Sequence, residues 1–248
     1  MSACRPLQEA GHPPVQSRPP ALVQVWQVDL ALTGDRLTRA AGLLSQVELA
    51  RAERGTAAVR RRRIALRAAL RTILGQVLAC APAHVPLATD AGGRPHLDLP
   101  RPRWDVNCTA SDDVGLVALG RGVRVGIDIQ RVAPWTDGTA AEGWLSAAEL
   151  TALHALPSAH RARAATHCWT QKEAVLKAVG SGLSLPAAEV ATSPGRRRGR
   201  SGRWHLSPVV VPPAFEACLA TSVALPPGDA AVEPRSLPNH TSTTGSPR

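Results

Sequence analysis

The stretch from residue 166 to residue 186, T-H-C-W-T-Q-K-E-A-V-L-K-A-V-G-S-G-L-S-L-P, constrains the fold of this chain more than any other. At 100° per residue its apolar side chains lie on one arc of a helix, the last of them at its edge: Cys168, Val175, Leu176, Val179 and Trp169. Lys172 lies in the middle of that arc, and Glu173 lies at its rim. Charged groups are costly to remove from water without partners, so the pattern predicts a packed helix that carries a candidate site. Gly180 and Gly182 predict its C-terminal end.

Glu173 also stands four residues before Lys177, a spacing that has an ordinary explanation. A Glu–Lys pair at this spacing on an exposed helix adds about 0.3–0.5 kcal/mol to helix stability and needs no function. That explanation accounts poorly for Lys172, because a lysine of an exposed face should not lie within an apolar arc. The helix is therefore a site candidate, and its partners must come from other parts of the chain.

The rest of the chain predicts an α+β fold in two similar halves. Strand, helix and loop patterns recur in each half, which gives an N-terminal α+β subdomain at 21–121 and a C-terminal one at 122–225. The proline-rich segment 1–20 and the Pro-, Ser- and Thr-rich segment 226–248 are typical of a disordered leader and a disordered tail. At 248 residues, either one large domain or two small ones can bury a core.

Individual elements follow from local periodicity and from capping signals. Ser45 and Ser146 each precede a glutamate by three residues, Glu48 and Glu149, a pattern typical of helix N-termini. We predict helices at 49–79, 146–156 and 161–179, and loops at 89–103 and 192–203. We predict strands at 21–32, 104–108, 114–119, 123–130, 204–211 and 215–224, with a turn at 109–113.

The strand predicted at 123–130, V-R-V-G-I-D-I-Q, alternates cleanly between an apolar face and a second face. Asp128 and Gln130 lie on that second face, about 6.5 Å apart by the rise of a strand. The strand can therefore present a carboxylate and an amide to one ligand.

The chain is strongly basic, with a net charge of +10 and a pI near 11.0. This charge indicates an anionic partner, which can be a nucleic acid, a phosphorylated small molecule or an acidic protein. Two arginine clusters, at 60–63 and 196–200, are compatible with nucleic acid, but no aromatic stacking platform or nucleic-acid-binding motif accompanies them. Charge alone does not choose among these partners.

The cysteines and the hydropathy pattern indicate a cytoplasmic protein. Five scattered cysteines without a C-x-x-C pair are typical of reduced thiols and argue against a disulfide framework or a zinc ribbon. The chain has no apolar run of 18 residues and no charged-then-apolar leader, so we expect neither secretion nor a membrane-spanning helix.

Two stretches carry a resemblance to a known family: G-I-D-I-Q at 126–130 and W-T-Q-K-E-A-V-L-K-A-V-G-S-G-L at 169–183. They resemble the two signature motifs of the 4′-phosphopantetheinyl transferase superfamily, G-x-D-x-E and W-x-x-K-E-x-x-x-K-x-x-G-x-G-L. The chain length is similar to that of the larger, two-subdomain class, typified by the activator of surfactin synthetase. Weaker likeness covers roughly residues 21–225.

This resemblance implies transfer of 4′-phosphopantetheine from coenzyme A to a serine of an acyl or peptidyl carrier protein. It also implies release of adenosine 3′,5′-bisphosphate, dependence on Mg²⁺, and a fold of two α+β subdomains in a pseudo-twofold arrangement. Since one chain would complete the cleft, we expect a monomer with no nucleic-acid or membrane partner. Cleavage of a pyrophosphate needs a hard cation on oxygen ligands together with fixed positive charges, which suits these residue types.

The resemblance assigns a role to each matching residue. Asp128, Gln130 and Glu173 would hold the metal. Asp128, Glu173 and Lys177 would be catalytic, with Lys177 neutralising phosphate charge. The base for the carrier serine would be Glu173 or a metal-bound water activated by a nearby carboxylate. Coenzyme contacts fall on six residues: Arg51, Arg63, Arg94, Thr109, Lys172 and Lys177. Lys172 could alternatively bind a carbonyl of the sheet, and Glu149 is either a second base or only a helix cap.

The chain departs from the family pattern at several positions. Gln130 replaces the usual glutamate and predicts weaker metal affinity, because an amide oxygen is a weaker ligand than a carboxylate. In N-C-T-A-S, Thr109 replaces a serine and Ala110 replaces a histidine that contacts the coenzyme. Ile64 stands where a threonine can touch the adenine. Two alternatives therefore stay open: a catalytically weakened family member and a basic nucleic-acid-binding protein.

Overall fold

The computed structural model of the chain describes residues 22–136, 138–139, 142–180, 185–225, 232 and 234–237. The predicted disordered leader at 1–20, most of the predicted tail, and Gly182 lie outside the described residues.

The described residues form an α+β fold, as the sequence predicts. The helices are α1 (Gly34–Ala41), α2 (Gln46–Ala52), α3 (Ala57–Leu78), α4 (Ala147–Ala155) and α5 (Ser158–Val179). The strands are β1 (Leu22–Asp29), β2 (Leu87–Thr89), β3 (Pro95–Leu97), β4 (Trp104–Ser111), β5 (Val114–Arg121), β6 (Val125–Arg131), β7 (Gly199–Ser201), β8 (Trp204–Pro208), β9 (Phe215–Thr221) and β10 (Arg235–Ser236).

The strands form two four-stranded sheets and one hairpin. The first sheet has the order β10-β1-β5-β4, the second has the order β6-β9-β8-β7, and β2 pairs with β3. Only β10 pairs in parallel among these described strands, and it lies beside β1 at Trp26 and Gln27. Arg235–Ser236 therefore add an ordered strand inside a segment that the sequence predicts to be disordered.

The two large sheets share a core between them. Alternation along a strand sends successive side chains to opposite faces, so the first sheet packs on α3 with one face and on the second sheet with the other. The face toward α3 carries Trp26, Val28, Val117 and Leu119, which cluster with Leu70, Ile73 and Leu74. The opposite face carries Val25, Leu116 and Ala118, which cluster with Val125, Ile127, Ile129, Ala217 and Leu219. Helix α5 covers the outer face of the second sheet through Ala174, Val175, Ala178, Cys218 and Ala220.

The local signals predict some boundaries and miss others. Both capping boxes, Ser45 with Glu48 and Ser146 with Glu149, are confirmed. The single helix predicted at 49–79 is two helices, because Gly55 has a φ of 125° and Thr56 starts α3 by accepting the Val59 N–H.

Two predicted loops contain strands. The loop predicted at 89–103 contains β3, and the loop predicted at 192–203 contains β7. The turn predicted at 109–113 is wrong for its first residues, because β4 continues to Ser111 and the chain reverses at Asp112 with a φ of 49°.

No helix within the described part of the chain is both long and apolar enough to cross a membrane.

Candidate active site

Gly126 lets strand β6 lie directly against helix α5. A Cβ atom at this position would lie 2.1 Å from the Ala174 carbonyl oxygen and 2.5 Å from the Ala178 amide nitrogen. Only a residue without a side chain permits this approach. It brings Asp128, two residues along the strand, next to the helix face that carries Glu173 and Lys177.

Asp128, Lys177 and Thr109 form a buried polar triangle. Lys177 Nζ donates to Asp128 Oδ1 at 2.5 Å and to Thr109 Oγ1 at 3.1 Å, and Thr109 Oγ1 donates to Asp128 Oδ1 at 2.9 Å. The Asp128 residue is 2% exposed. Its second oxygen, Oδ2, is buried and has no hydrogen-bond partner among the residues that the structure describes. A buried oxygen without a partner is costly, so Oδ2 is available to a ligand.

Glu173 is half-buried on the same helix, one turn before Lys177. Burial raises the pKa of the Glu173 carboxyl, the Lys177 ammonium lowers it, the Asp128 carboxylate raises it, and the result lies above the ordinary value. The two carboxylates therefore disfavour each other's charge. A cation bound between them would relieve this repulsion.

These residues fit a hard divalent metal ion. The buried, partnerless Oδ2 of Asp128 and the carboxylate of Glu173 are oxygen ligands of the kind that Mg²⁺ prefers. Gln130, half-buried two residues after Asp128, can add an amide oxygen. The described residues hold no group of three His, Cys, Asp or Glu side chains suited to a metal.

Lys172 is buried, as the apolar arc predicts, but its partners are structural. It is 0% exposed, and Nζ donates to the carbonyl oxygens of Ala187 at 2.9 Å and Val190 at 2.6 Å. It also forms an ion pair with Glu149 Oε2 at 2.9 Å. An ammonium has three donors, and these contacts use all three. The predicted contact with the coenzyme does not fit such a group. The alternative of a sheet carbonyl is right in the kind of partner and wrong in its place, because Ala187–Glu189 form a 3-10 turn and Val190 is its C-cap.

Glu149 caps α4 and anchors the chain after α5. Its Oε2 accepts from the Ser146 N–H at 2.9 Å, and its Oε1 accepts from the Thr192 N–H at 2.8 Å and the Thr192 hydroxyl at 2.6 Å. Burial raises the pKa of this carboxyl, but the hydrogen bonds from Thr192, Lys172 and Ser146 outweigh burial and hold the pKa below its ordinary value. The helix-cap interpretation is confirmed, and a carboxylate with this many donors is a poor base.

Two arginines hold the C-terminal end of α5. Arg94, 8% exposed, donates to the Lys177 carbonyl oxygen and, at 2.8 Å each, to Asp105 Oδ2 and the Val125 carbonyl oxygen. Arg124 Nε donates to the Ala178 carbonyl oxygen at 2.9 Å. These bonds use three of the five guanidinium N–H donors of Arg94, and its contact with the coenzyme stays a prediction.

Two further residues with predicted coenzyme contacts, Arg51 and Arg63, lie in the first half of the chain. No described hydrogen bond links them to the polar triangle of Asp128, Lys177 and Thr109. Arg51 and Arg63 are exposed, and Arg63 donates to the backbone carbonyls of Arg51 and Arg54 at the end of α2. Ile64 is 0% exposed in the core beneath α3, so it cannot touch an adenine. Ala110 is exposed at the outer end of β4.

The chain has an aromatic pocket of about 270 Å³. Its lining includes Gln130, Trp135, Trp144, Ala162, Ala165 and Trp169. Trp144 and Trp169 meet edge to face with their ring centroids 5.2 Å apart. Trp169 lies one helical turn before Glu173, and Gln130 lies two residues after Asp128 on β6, so the pocket lining includes neighbours of both carboxylates along the chain.

Alternate side chains of β4 bind the edge of β6, a feature that the sequence analysis missed. Asp105, Asn107 and Ser111 accept the backbone N–H groups of Val125, Ile127 and Arg131 at 2.7, 3.1 and 2.9 Å. Thr109 takes the remaining alternate position and bonds to Asp128. The pattern D-x-N-x-T-x-S is visible in the sequence as four polar residues at a spacing of two, the spacing of one strand face.

A second buried ionic group contains His167 and does not reach the site. His167 Nδ1 lies 3.1 Å from Glu216 Oε2, and Arg163 and Arg197 also pair with that carboxylate. Burial raises the pKa of Glu216, but its bonds with His167 and Arg163 outweigh burial and lower it overall. The ring nitrogens of His167 therefore have partners within the fold, Glu216 and the Arg197 carbonyl oxygen.

Sequence comparison gives a family and two relatives. The family model described as the 4′-phosphopantetheinyl transferase superfamily matches residues 124–217, which include β6 and α5. The 4′-phosphopantetheinyl transferase HetI of Nostoc sp. is 32% identical over 177 residues, covering 69% of this chain and 75% of HetI. A provisionally named 4′-phosphopantetheinyl transferase of Synechocystis sp., slr0495, is 32% identical over 175 residues, covering 66% of this chain and 71% of that protein.

Proposed function

Because this chain belongs to the 4′-phosphopantetheinyl transferase superfamily, we propose that it transfers 4′-phosphopantetheine from coenzyme A to a serine of a carrier protein. The acceptor would be an acyl or peptidyl carrier protein in its unmodified form. The second product would be adenosine 3′,5′-bisphosphate, and the reaction would depend on Mg²⁺. Asp128, Glu173 and Lys177 would form the reaction site.

The reaction replaces the phosphoanhydride bond of the pyrophosphate with a phosphodiester bond to the carrier serine. The carrier serine oxygen bonds to the phosphorus that bears pantetheine, and the bond from that phosphorus to the bridging oxygen breaks. The bridging oxygen leaves with adenosine 3′,5′-bisphosphate, and the serine proton must pass to a base. Negative charge accumulates on the leaving oxygen, so positive charge fixed near it stabilises the transition state.

Glu173 suits the base. Its carboxyl has a raised pKa, so its ionised form has a greater affinity for a proton than an ordinary glutamate has. It is half-buried at the surface of α5, where a carrier serine can approach. Glu149 is less suitable, because hydrogen bonds hold its pKa below the ordinary value.

Lys177 suits the phosphate-neutralising position. Its ammonium lies between Thr109 and Asp128, and its side chain is 29% exposed, so it can turn one donor toward a bound phosphate. Thr109 holds the ammonium from the strand side at 3.1 Å. Fixed in this way, the positive charge needs little rearrangement when the phosphate charge develops.

Asp128 and Glu173, with Gln130 as a weaker third ligand, would hold the Mg²⁺. When bound, this ion would supply charge neutralisation at the pyrophosphate oxygens. Gln130 lowers the charge of the ligand set, which predicts weaker metal binding rather than loss of activity.

The observation that carries the proposal is the partnerless Oδ2 of Asp128, buried beside an amine and a second carboxylate. Each alternative lacks comparable support. Arg61 and Arg62 of the first arginine cluster pair with Asp113, which reduces the charge available to a nucleic acid. The alternative of a catalytically weakened family member predicts slow transfer in place of a normal rate.

The test is the mass of an apo-carrier protein after incubation with this protein, coenzyme A and Mg²⁺. A panel of acyl, polyketide-type and peptidyl carriers is used, with each serine→alanine carrier as a control. The expected result is a gain of one phosphopantetheine on at least one carrier, absent when EDTA replaces Mg²⁺. If no carrier gains mass while the protein binds DNA or RNA with a steep salt dependence, the nucleic-acid interpretation replaces this one.

A further inference from the structure

We propose that Asp105 is a positioning residue, which places the Lys177 ammonium against Asp128 by holding two arginines on the last turn of α5. The inference rests on the proposed function of Lys177. Asp105 itself lies on β4, in the other half of the chain, and would touch neither the coenzyme nor the carrier.

Asp105 connects three groups at the junction of the two large sheets. Its Oδ2 accepts from the Val125 N–H at 2.7 Å and from Arg94 Nη2 at 2.8 Å. Its Oδ1 accepts from Arg124 Nη1 at 3.3 Å. The Asp105 side chain is only 19% exposed, so water screens these charge-assisted bonds less than it would on an open surface.

Each arginine also donates a hydrogen bond to a backbone carbonyl of α5. Arg94 donates to the Lys177 carbonyl oxygen, and Arg124 donates to the Ala178 carbonyl oxygen at 2.9 Å. The last carbonyls of a helix lack partners within the helix and carry partial negative charge, so guanidinium groups bind them favourably. Without Asp105 the two guanidinium groups would face each other with no carboxylate between them.

The position of this turn matters because Lys177 belongs to it. The backbone of Lys177 is held by Arg94, while its ammonium reaches across to Asp128 Oδ1 at 2.5 Å. Gly180 adds a second constraint, since a Cβ there would lie 3.0 Å from Arg124 Nη2. The end of α5 and the guanidinium groups are therefore in close contact. A displacement of the guanidinium groups would displace the last turn of the helix.

The composition of the chain allows a direct test. Among 29 basic residues the chain has only two lysines, Lys172 and Lys177, and both lie on α5. Protein labelled with ¹³Cε and ¹⁵Nζ lysine should therefore give two side-chain NMR signals. Lys177→Arg identifies the Lys177 signal by its loss, and the buried Lys172 supplies an internal reference on the same helix.

The test variant is Asp105→Asn, which removes the charge and keeps one acceptor for the Val125 N–H. The matched control is Asp113→Asn, because Asp113 also holds two arginines, Arg61 and Arg62, but its side chain makes no hydrogen bond to α5 or β6 among the described residues. Arg124→Gln is a second test variant in case Asp105→Asn does not fold, since the Arg124 side chain is 44% exposed.

We expect Asp105→Asn to shift the Lys177 signal, leave the Lys172 signal in place, and lower the kcat for carrier modification by about tenfold to a hundredfold. The KM for the carrier should change by no more than about threefold, because Asp105 makes no contact with it. Arg124→Gln should shift the same signal, and Asp113→Asn should change neither signal nor rate.

A purely structural Asp105 predicts a different pattern. In that case Asp105→Asn lowers the melting temperature while the folded protein keeps the wild-type Lys177 signal and kcat, and the inference is overturned. The proposed function fails separately, if the wild-type protein adds phosphopantetheine to no carrier, and the role of Lys177 fails if Lys177→Met retains wild-type transfer. The NMR shift is read without any transfer assay, so the two failures are distinguishable.

Discussion

Helix α5 carries two lysine–carboxylate pairs that lie five residues apart and differ in almost every physical respect. Lys172 pairs with Glu149 at 2.9 Å, is 0% exposed, and has two carbonyl oxygens as further partners. Lys177 pairs with Asp128 at 2.5 Å, and its side chain is 29% exposed. The first pair is complete, whereas the second leaves Asp128 Oδ2 without a partner in the described part of the chain.

The same difference appears in the pKa values of two glutamates: Glu149, which belongs to the first pair, and Glu173, which lies beside the second. The pKa of Glu149 lies below its ordinary value because donors from Thr192, Lys172 and Ser146 outweigh burial. The pKa of Glu173 lies above its ordinary value because burial and Asp128 outweigh Lys177. An ion pair whose buried polar atoms all have partners stabilises the fold. A pair that leaves a buried oxygen without a partner can bind a ligand through that oxygen. We therefore expect changes at the first pair to affect stability and changes at the second to affect transfer.

The largest effect is expected from Asp128→Asn. This change removes the carboxylate that would bind the metal and hold Lys177, so kcat for carrier modification should fall about 10³- to 10⁵-fold. The melting temperature should change little, because the amide keeps an acceptor for Thr109 and Lys177. Carrier mass spectrometry measures the rate, and a variant with more than a tenth of the wild-type rate would remove Asp128 from the mechanism.

Lys172→Met should produce the largest change in stability. It leaves the buried Glu149 carboxylate without its ammonium, and removal of one partner from a buried pair costs about 3–5 kcal/mol. Urea unfolding followed by tryptophan fluorescence measures the free energy of unfolding. Transfer by the protein that remains folded at low temperature should stay within a few-fold of wild type. An inactive variant of normal stability would instead return Lys172 to the reaction site.

Gly126→Ala tests the contact that brings the two sides of the reaction site together. The added methyl group would lie 2.1 Å from the Ala174 carbonyl oxygen, so α5 must move away from β6. Overpacking of this kind costs about 1–3 kcal/mol, and here it also separates Lys177 from Asp128. Gly199→Ala is the matched control in a strand, because its Cβ would meet nothing within 4 Å. Equal behaviour of the two variants in unfolding and transfer would contradict the close-contact account.

The smallest expected effect is a shift in pH dependence. Glu173 must be ionised to bind Mg²⁺, so at subsaturating Mg²⁺ the rate should fall as the pH falls through the raised pKa of the metal-free carboxyl, at a higher pH than an ordinary glutamate predicts. Glu173→Gln should lower the rate and abolish this limb of the pH–rate profile. A limb that survives in Glu173→Gln would assign it to another group.

Glu149 provides the contrasting case. Because its folded-state pKa is lowered, its stabilisation is fully present above the ordinary pKa of glutamate and is lost as the pH falls through the lowered value. Glu149→Gln should therefore reduce stability near neutral pH and weaken its dependence on acid, while the pH–rate limb of Glu173 remains. Unfolding curves at several pH values check this, and loss of the rate limb would show that Glu149 acts in the reaction.

Local pattern predicted the parts of the site that depend on one element. The alternation of V-R-V-G-I-D-I-Q predicted which face of the strand carries Asp128. The apolar arc predicted the burial of Lys172. The spacing of Ser146 and Glu149 predicted a helix cap. These features depend only on the period of a helix or a strand, which a sequence displays directly.

The partners of those residues could not be predicted in the same way. The Ala187 and Val190 carbonyls that bind Lys172 lie in a segment without strong periodicity. The protein contacts of Arg94 depend on three elements, α5, β4 and β6, that meet only in the folded chain. Arginine can serve a ligand or a carbonyl equally well, so residue type and spacing do not distinguish these uses.

The most direct test of the division between the two pairs compares Lys177→Met with Lys172→Met in one assay. The measurement is the rate constant of phosphopantetheine transfer to a carrier protein at saturating coenzyme A, at a temperature where both variants are folded. The account predicts a fall of about a hundredfold or more for Lys177→Met and a rate within about fivefold of wild type for Lys172→Met. Equal rates for the two variants, or a larger loss for Lys172→Met, would contradict it.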